Sequence, residues 1–198
     1  FPDMKTPETL VIADGDWPTA VAVYLQPDLG SVALWAAEES GAIGPARGRV
    51  TRRLAETARV PLIDRPASWL TVGRSATLMA AALEAHRLGA TRVVDPVMVG
   101  GDPETMAREV ERAQLVEGLL ESDGIRIVFD QPLVDLTAAQ VAVLAIDQGL
   151  PAALAWVCDE GAPDPVEDAM DAGTGRGPSP MRRHPRHRLR GERIEFPM

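Results

Sequence analysis

The feature that most constrains the fold is a rhythm along the chain: short apolar runs, none strictly alternating, separated by longer stretches with helical spacing. Leu10-Val-Ile-Ala is the first run. It leads into Asp14-Gly-Asp-Trp-Pro, a turn that puts Pro18 at a first helical position and opens a helix through Tyr24, ending before Pro27. Ser31-Val-Ala-Leu-Trp reads as the second strand. After a loop containing Gly41, Gly44 and Gly48, Val50, Leu54 and Ala58 stand at helical spacing within residues 49–59, and Pro61-Leu-Ile-Asp is a third strand. Ser75 to Leu88 reads as a helix with Leu78, Met79, Ala82 and Leu83 on one side and Gly89 just past its end. Thr91 to Val99 is strand-like, although Pro96 should stop regular pairing. Asp102 and Pro103 cap and open a helix to about Glu121. Ile125 begins another strand, which ends in a turn at Asp130 to Pro132. Thr137-Ala-Ala-Gln140 is a capping box, Gly149-Leu-Pro151 a stop, and a last short strand ends in Trp156-Val-Cys158.

Strands that are apolar on both sides must be covered on both sides. The pattern therefore predicts an α/β three-layer sandwich, a mostly parallel sheet flanked by helices. A ligand of such a sheet sits at the carboxyl ends of the strands, where the loops at 14–18, 36–48, 64–75 and 96–103 should converge. Residues 1–158 form the expected α/β domain, and residues 159–198 an extension of different character.

Charge separates the two parts. Residues 1–158 carry 13 basic and 21 acidic side chains; residues 159–174 carry six acids and no base; residues 175–198 carry seven Arg and two Glu. An acidic body disfavours a broad nucleic-acid face, which leaves only the tail as a candidate. Nineteen of the twenty basic residues are Arg, a bias that fits a GC-rich coding sequence better than any chemistry. The single cysteine, Cys158, excludes an internal disulfide and an all-cysteine zinc site within one chain. No charge-poor apolar run is long enough to span a bilayer and no signal-type start is present, so a cytoplasmic protein is expected.

Residues 125–158 carry the most distinctive wording: IRI, PLVDLTAAQ, QGLP and AWVC, in that order. This stretch resembles the 7-cyano-7-deazaguanine synthases, enzymes of queuosine precursor synthesis in the PP-loop ATP pyrophosphatase superfamily, which carry I-x-I, P-L-I-D-L-T-K-x-E, L-G-V-P and T-W-S-C there. Thr71-Val-Gly-Arg-Ser, followed by a helix and Leu88-Gly-Ala, is similar to the family's P-G-R-N loop and the helix after it. Leu10-Val-Ile-Ala is similar to its opening strand. The resemblance covers roughly residues 9–160. It implies the adenine nucleotide alpha hydrolase-like, Rossmann-like form of the three-layer sandwich. It also implies a nucleotide pocket, for which Gly15, Thr19, Gly73 and Arg74 are the matching positions.

The chemistry that the resemblance implies is ATP-driven activation of a deazaguanine carboxylate, then displacement of AMP by ammonia. The family's S-G-G-x-D-S loop cradles phosphate at a helix N-terminus. Here that loop reads Ala13-Asp14-Gly15-Asp16-Trp17-Pro18, with only Gly15 and the following Thr19 kept. Two acids facing a triphosphate repel it unless a metal intervenes. The family's four zinc cysteines are matched by Cys158 alone; the other places fall at Val166, Ala169 and Ala172, so zinc is not expected even with His184 and His187 nearby. Val72 and Ser75 replace the Pro and Asn of the P-G-R-N loop. The resemblance thus implies the family scaffold without catalytic residues of its own: a ligand-binding protein or partner subunit lacking ATP pyrophosphatase activity. The alternative is an ATP-dependent ligase or amidotransferase-type enzyme on a purine-like or carboxylate substrate, with altered loop chemistry and Mg²⁺-bound ATP.

Other residues have two readings each. Asp14 and Asp16 are metal ligands or an acid/base pair, or else caps of the helix that follows. Trp17, Trp35 and Trp69 line a base-stacking pocket, or close the core. His86 has no partner by spacing and reads as structural, and Gly173-Thr-Gly-Arg-Gly lacks the strand that a phosphate loop needs. The basic segment 182–193 is a solvated tail, or a contact for an acidic partner, RNA or a second subunit, and Arg193-Ile-Glu-Phe would suit addition to a sheet edge. The expected partner is a second copy of the chain or a paralogous subunit, with no membrane.

Overall fold

A computed structural model describes residues 6–36, 44–64, 73–150 and 154, with the side chains of 44–46 excepted. The elements in order are β1 (Thr9–Ala13), α1 (Trp17–Tyr24), β2 (Val32–Ala36), α2 (Gly44–Ala58), β3 (Leu62–Ile63), α3 (Arg74–Leu88), β4 (Arg92–Val94), α4 (Pro103–Ser122), β5 (Val128–Asp130) and α5 (Ala138–Asp147). The strands form one sheet in the order β3-β2-β1-β4-β5, and every pair is parallel. This is the α/β three-layer sandwich that the rhythm of the sequence predicts, in a Rossmann-like form.

The period-two side-chain alternation of a strand divides the core into two layers. Val11 and Ala13 of β1, with Val32 and Leu34 of β2, face α1, α2 and α5, where Ala20–Val23, Leu54, Ala55, Val141 and Ala145 bury against them. Leu10 and Ile12, with Ala33 and Trp35, face α3 and α4, where Leu78, Ala81, Ala82, Ala85, Val116 and Leu120 close the other layer. Small residues dominate the sheet-facing sides of α1 and α3, which lets both helices lie close to the central strands.

Caps fix the helix ends where the sequence places them. Asp102 accepts from the N–H groups of Glu104 and Thr105, Thr137 and Gln140 form the reciprocal box, and Gly89 takes the left-handed conformation after α3. Three boundaries differ from expectation. β4 keeps only Arg92–Val94 of the 91–99 run, since Pro96 has no N–H to pair. α2 begins five residues early, at Gly44. The strand expected from Ile125 starts at Val128, because the Ile125 N–H closes α4 on Leu120 O (2.9 Å) after Gly124 turns left-handed. Most of the two expected converging loops (residues 37–43 and 65–72, with Trp69 and Thr71-Val72), the expected last strand ending at Cys158 apart from Leu154, and the whole extension lie outside the described residues.

Candidate functional site

In the order 3-2-1-4-5 the chain leaves β1 toward β2 on one side and returns to β4 on the other. Loops leaving the carboxyl ends of β1 and β4 therefore part and leave a crevice. A cavity of about 230 Å³ occupies that crevice. It is lined by Ile12 and Asp14 from the end of β1, Asp16 and Pro18 at the start of α1, Arg74 at the start of α3, and Asp95 to Met98 after β4.

The first wall is the turn between β1 and α1. Asp16 is the N-cap of α1, its Oδ1 accepting from the Thr19 N–H at 3.0 Å. The Thr19 hydroxyl is 2.6 Å from Asp14 Oδ1 and 3.0 Å from Asp16 Oδ1. A hydroxyl has one hydrogen to donate, so it satisfies only one of these oxygens at a time. Burial, then the neighbouring Asp14 charge and its hydrogen bond, push the Asp16 carboxyl up from its ordinary 3.8 to about 7, against the lowering pull of Thr19. Around neutral pH the Asp16 carboxyl therefore holds a proton part of the time. Asp16 is the cap of α1, Asp14 accepts from the Asp16 N–H at 3.3 Å, and the Asp16 carboxyl is a proton-holding group at the wall of the cavity.

Gly15 lies between them at φ +83°, and a Cβ there would stand 2.5 Å from the carbonyl oxygen of Arg47 in α2. Its missing side chain makes room for α2. Gly73 precedes α3 at φ +95° with open space where its Cβ would be, so its role is conformational alone.

The second wall is an ion-pair network. Arg74 donates to Asp95 Oδ1, Gln131 Nε2 donates to Asp95 Oδ2 at 2.9 Å, and Arg74 Nε lies 3.5 Å from Glu109 Oε2. Arg112 also pairs with Glu109. The Asp95 side chain is fully buried; burial raises its pKa, and Arg74 and Gln131 pull it back. Arg74 thus reaches the cavity with its charge already met by two carboxylates.

The four sequence candidates fall out unevenly. Arg74 lines the cavity and Thr19 is buried behind its first wall, both engaged by the chain's own acids; Gly15 lies between the two acids of that wall, and Gly73 only turns the backbone into α3. Trp35 is wholly buried in the sheet layer facing α3 and α4, its indole N–H without a hydrogen-bond partner, and Trp17 packs on the opposite layer. His86 is exposed on α3. The sequence reading missed Asp95, Gln131 and Glu109. Asp95 carried a usable signal, an acid directly after Val93-Val94 at a strand's carboxyl end; Glu109, in mid-helix, carried none. Among the described residues no cluster of three metal-ligating side chains occurs, and no helix is long and apolar enough to cross a membrane.

Fold and cavity together define a parallel α/β protein with an acidic, partly self-neutralised crevice at its topological switch point. No family model matches the chain, and no curated protein matches it.

Proposed function

We propose that this chain is a divergent relative of the 7-cyano-7-deazaguanine synthases that binds a small ligand or a partner subunit and has no ATP pyrophosphatase activity. The observation that carries the proposal is the Asp16 carboxylate on the Thr19 N–H at the start of α1. In an α/β nucleotide site that helix end offers free N–H groups to a phosphate. Here a carboxyl oxygen of the chain itself occupies it, with Asp14 beside it. Arg74, the cation that lines the cavity among the described residues, is held by Asp95 and Glu109. At about 230 Å³ the cavity is also smaller than the roughly 300–1,000 Å³ usual for ligand pockets. Its lining suits a compact neutral or cationic molecule better than a nucleoside triphosphate.

The alternative, an ATP-dependent C–N ligase or amidotransferase-type enzyme with altered loop chemistry, is favoured by one observation. A carboxyl such as Asp16, pushed up to about 7, is suited to general acid–base work. Incubation with Mg²⁺, ATP and a carboxylated deazaguanine separates the two. The proposal expects neither AMP nor pyrophosphate above a no-protein control, and stoichiometric release of either establishes the alternative.

A further inference from the structure

The sheet ends at β5, and neither the crevice nor the core explains how that edge is finished. The Val128 N–H donates to Thr91 O at 3.0 Å and the Asp95 N–H donates to Asp130 O at 2.9 Å, so both ends of β5 turn their backbone toward β4. Phe129, between them, turns its N–H and carbonyl the other way, to the side where no further strand follows. An outward N–H of this kind is a template for another chain. The sequence around it suits pairing. Ile125-Arg-Ile-Val-Phe129 is β-branched and aromatic with a single charge, and Val128 is 60% exposed. A groove of about 580 Å³ runs beside it, between Glu117 and Glu121 of α4 and the Ile125 to Val128 stretch.

The Phe129 N–H is not left open. It donates to Glu117 Oε1 at 2.6 Å, across twelve residues of sequence. On α4 the residues three and four places from Glu117 are Ala113, Gln114, Leu120 and Glu121, so no helical neighbour supplies a cation to hold this carboxylate. Fixing so long a side chain in one conformation costs entropy, which a charged acceptor on a strand N–H offsets. The opposite edge is finished differently: β3 is two residues long and follows Pro61, which has no N–H. One edge is too short to template a partner, and the other is covered by a carboxylate.

We infer that Glu117 is an edge guard. Its carboxylate takes the place that a carbonyl of an added strand would take, and it keeps β5 closed to strand addition by a second copy of the chain. Without it, β5 of one copy pairs with β5 of another.

Amide hydrogen exchange and sedimentation velocity on the full chain test this together. In the wild type the Phe129 amide is expected to exchange slowly, as those of Val128 and Asp95 do. Glu117→Ala should speed it by about tenfold or more, whereas Glu117→Gln, which keeps a carbonyl acceptor, should leave most of the protection. Glu117→Ala should also associate with rising concentration beyond the wild type, and adding Val128→Lys should reverse this, because an edge lysine opposes pairing. A wild-type Phe129 amide that exchanges as freely as an exposed one overturns the inference, as does exchange unchanged by Glu117→Ala. Lost protection without added association overturns it too, since the contact is then structural only. Association that Val128→Lys does not reverse places the contact elsewhere, and a wild-type oligomer that Val128→Lys dissolves shows an edge already open; either result overturns the inference. Should Glu117→Ala misfold, the wild type still decides: its Phe129 amide must be protected while its oligomeric state is indifferent to Val128→Lys.

Discussion

Asp16 Oδ1 accepts from the backbone N–H of Thr19 at 3.0 Å, so the N-terminus of the helix that follows the central strand is closed by a carboxylate of the chain itself. Asp14 reaches the same threonine through its hydroxyl at 2.6 Å, and the two acids compete for one hydrogen. The crevice at the switch point thereby becomes a place where negative charge is already present and partly held by a proton.

Asp16→Asn should flatten the pH dependence of stability. The folded carboxyl, pushed up to about 7 from an ordinary 3.8, holds a proton that the unfolded chain has released. Its favourable state is therefore fully present below the ordinary value and is lost as pH rises through about 7, with a slope of at most about 1.4 kcal/mol per pH unit. Asn keeps the cap and does not titrate. Urea unfolding should show the variant gaining on the wild type as pH rises through this window. Parallel pH curves for the two proteins would refute the raised Asp16 carboxyl.

Arg74→Gln leaves Asp95 buried beside Gln131 alone. Breaking a buried pair from one side costs about 3 kcal/mol or more, whereas removing both charges costs far less. Arg74→Gln should therefore lower stability by about that amount, and Arg74→Gln with Asp95→Asn should recover more than half of it. Simple addition of the two single losses would show that Arg74 is not the counter-ion of Asp95.

The two candidate glycines should respond differently to alanine. At Gly73 only the positive-φ extended backbone resists, about 1–3 kcal/mol. At Gly15 the same strain is joined by the 2.5 Å approach to Arg47 O, so Gly15→Ala should cost clearly more. Equal losses in thermal unfolding would mean that α2 yields without cost.

How much of this was legible depends on what each residue answers to. The layers, the parallel sheet and most helix caps were readable because Leu10–Ala13, Asp102-Pro103 and Thr137–Gln140 follow local rules of burial and hydrogen bonding. That a site would lie at the carboxyl ends of the strands was readable as well, since it follows from the alternation of elements, whereas its place between β1 and β4 follows from the strand order. What Gly15 makes room for was not, because its neighbour, the Arg47 carbonyl, lies on another helix. Asp95 was separated from Arg74 by 21 residues and from Gln131 by 36, and only the sheet order brings the three together. The strand from Ile125 was misplaced by three residues because the tie from Ile125 N–H to Leu120 O is a backbone contact without a sequence signature.

The central claim is that the chain's own acids take the place of phosphate at the start of α1. Isothermal titration of the full chain with ATP and Mg²⁺ tests it most directly. The account predicts no saturable heat with the wild type at any concentration at which nucleotide sites ordinarily fill. A micromolar, stoichiometric isotherm, lost on Thr19→Val and unaffected by Asp16→Asn, would contradict it.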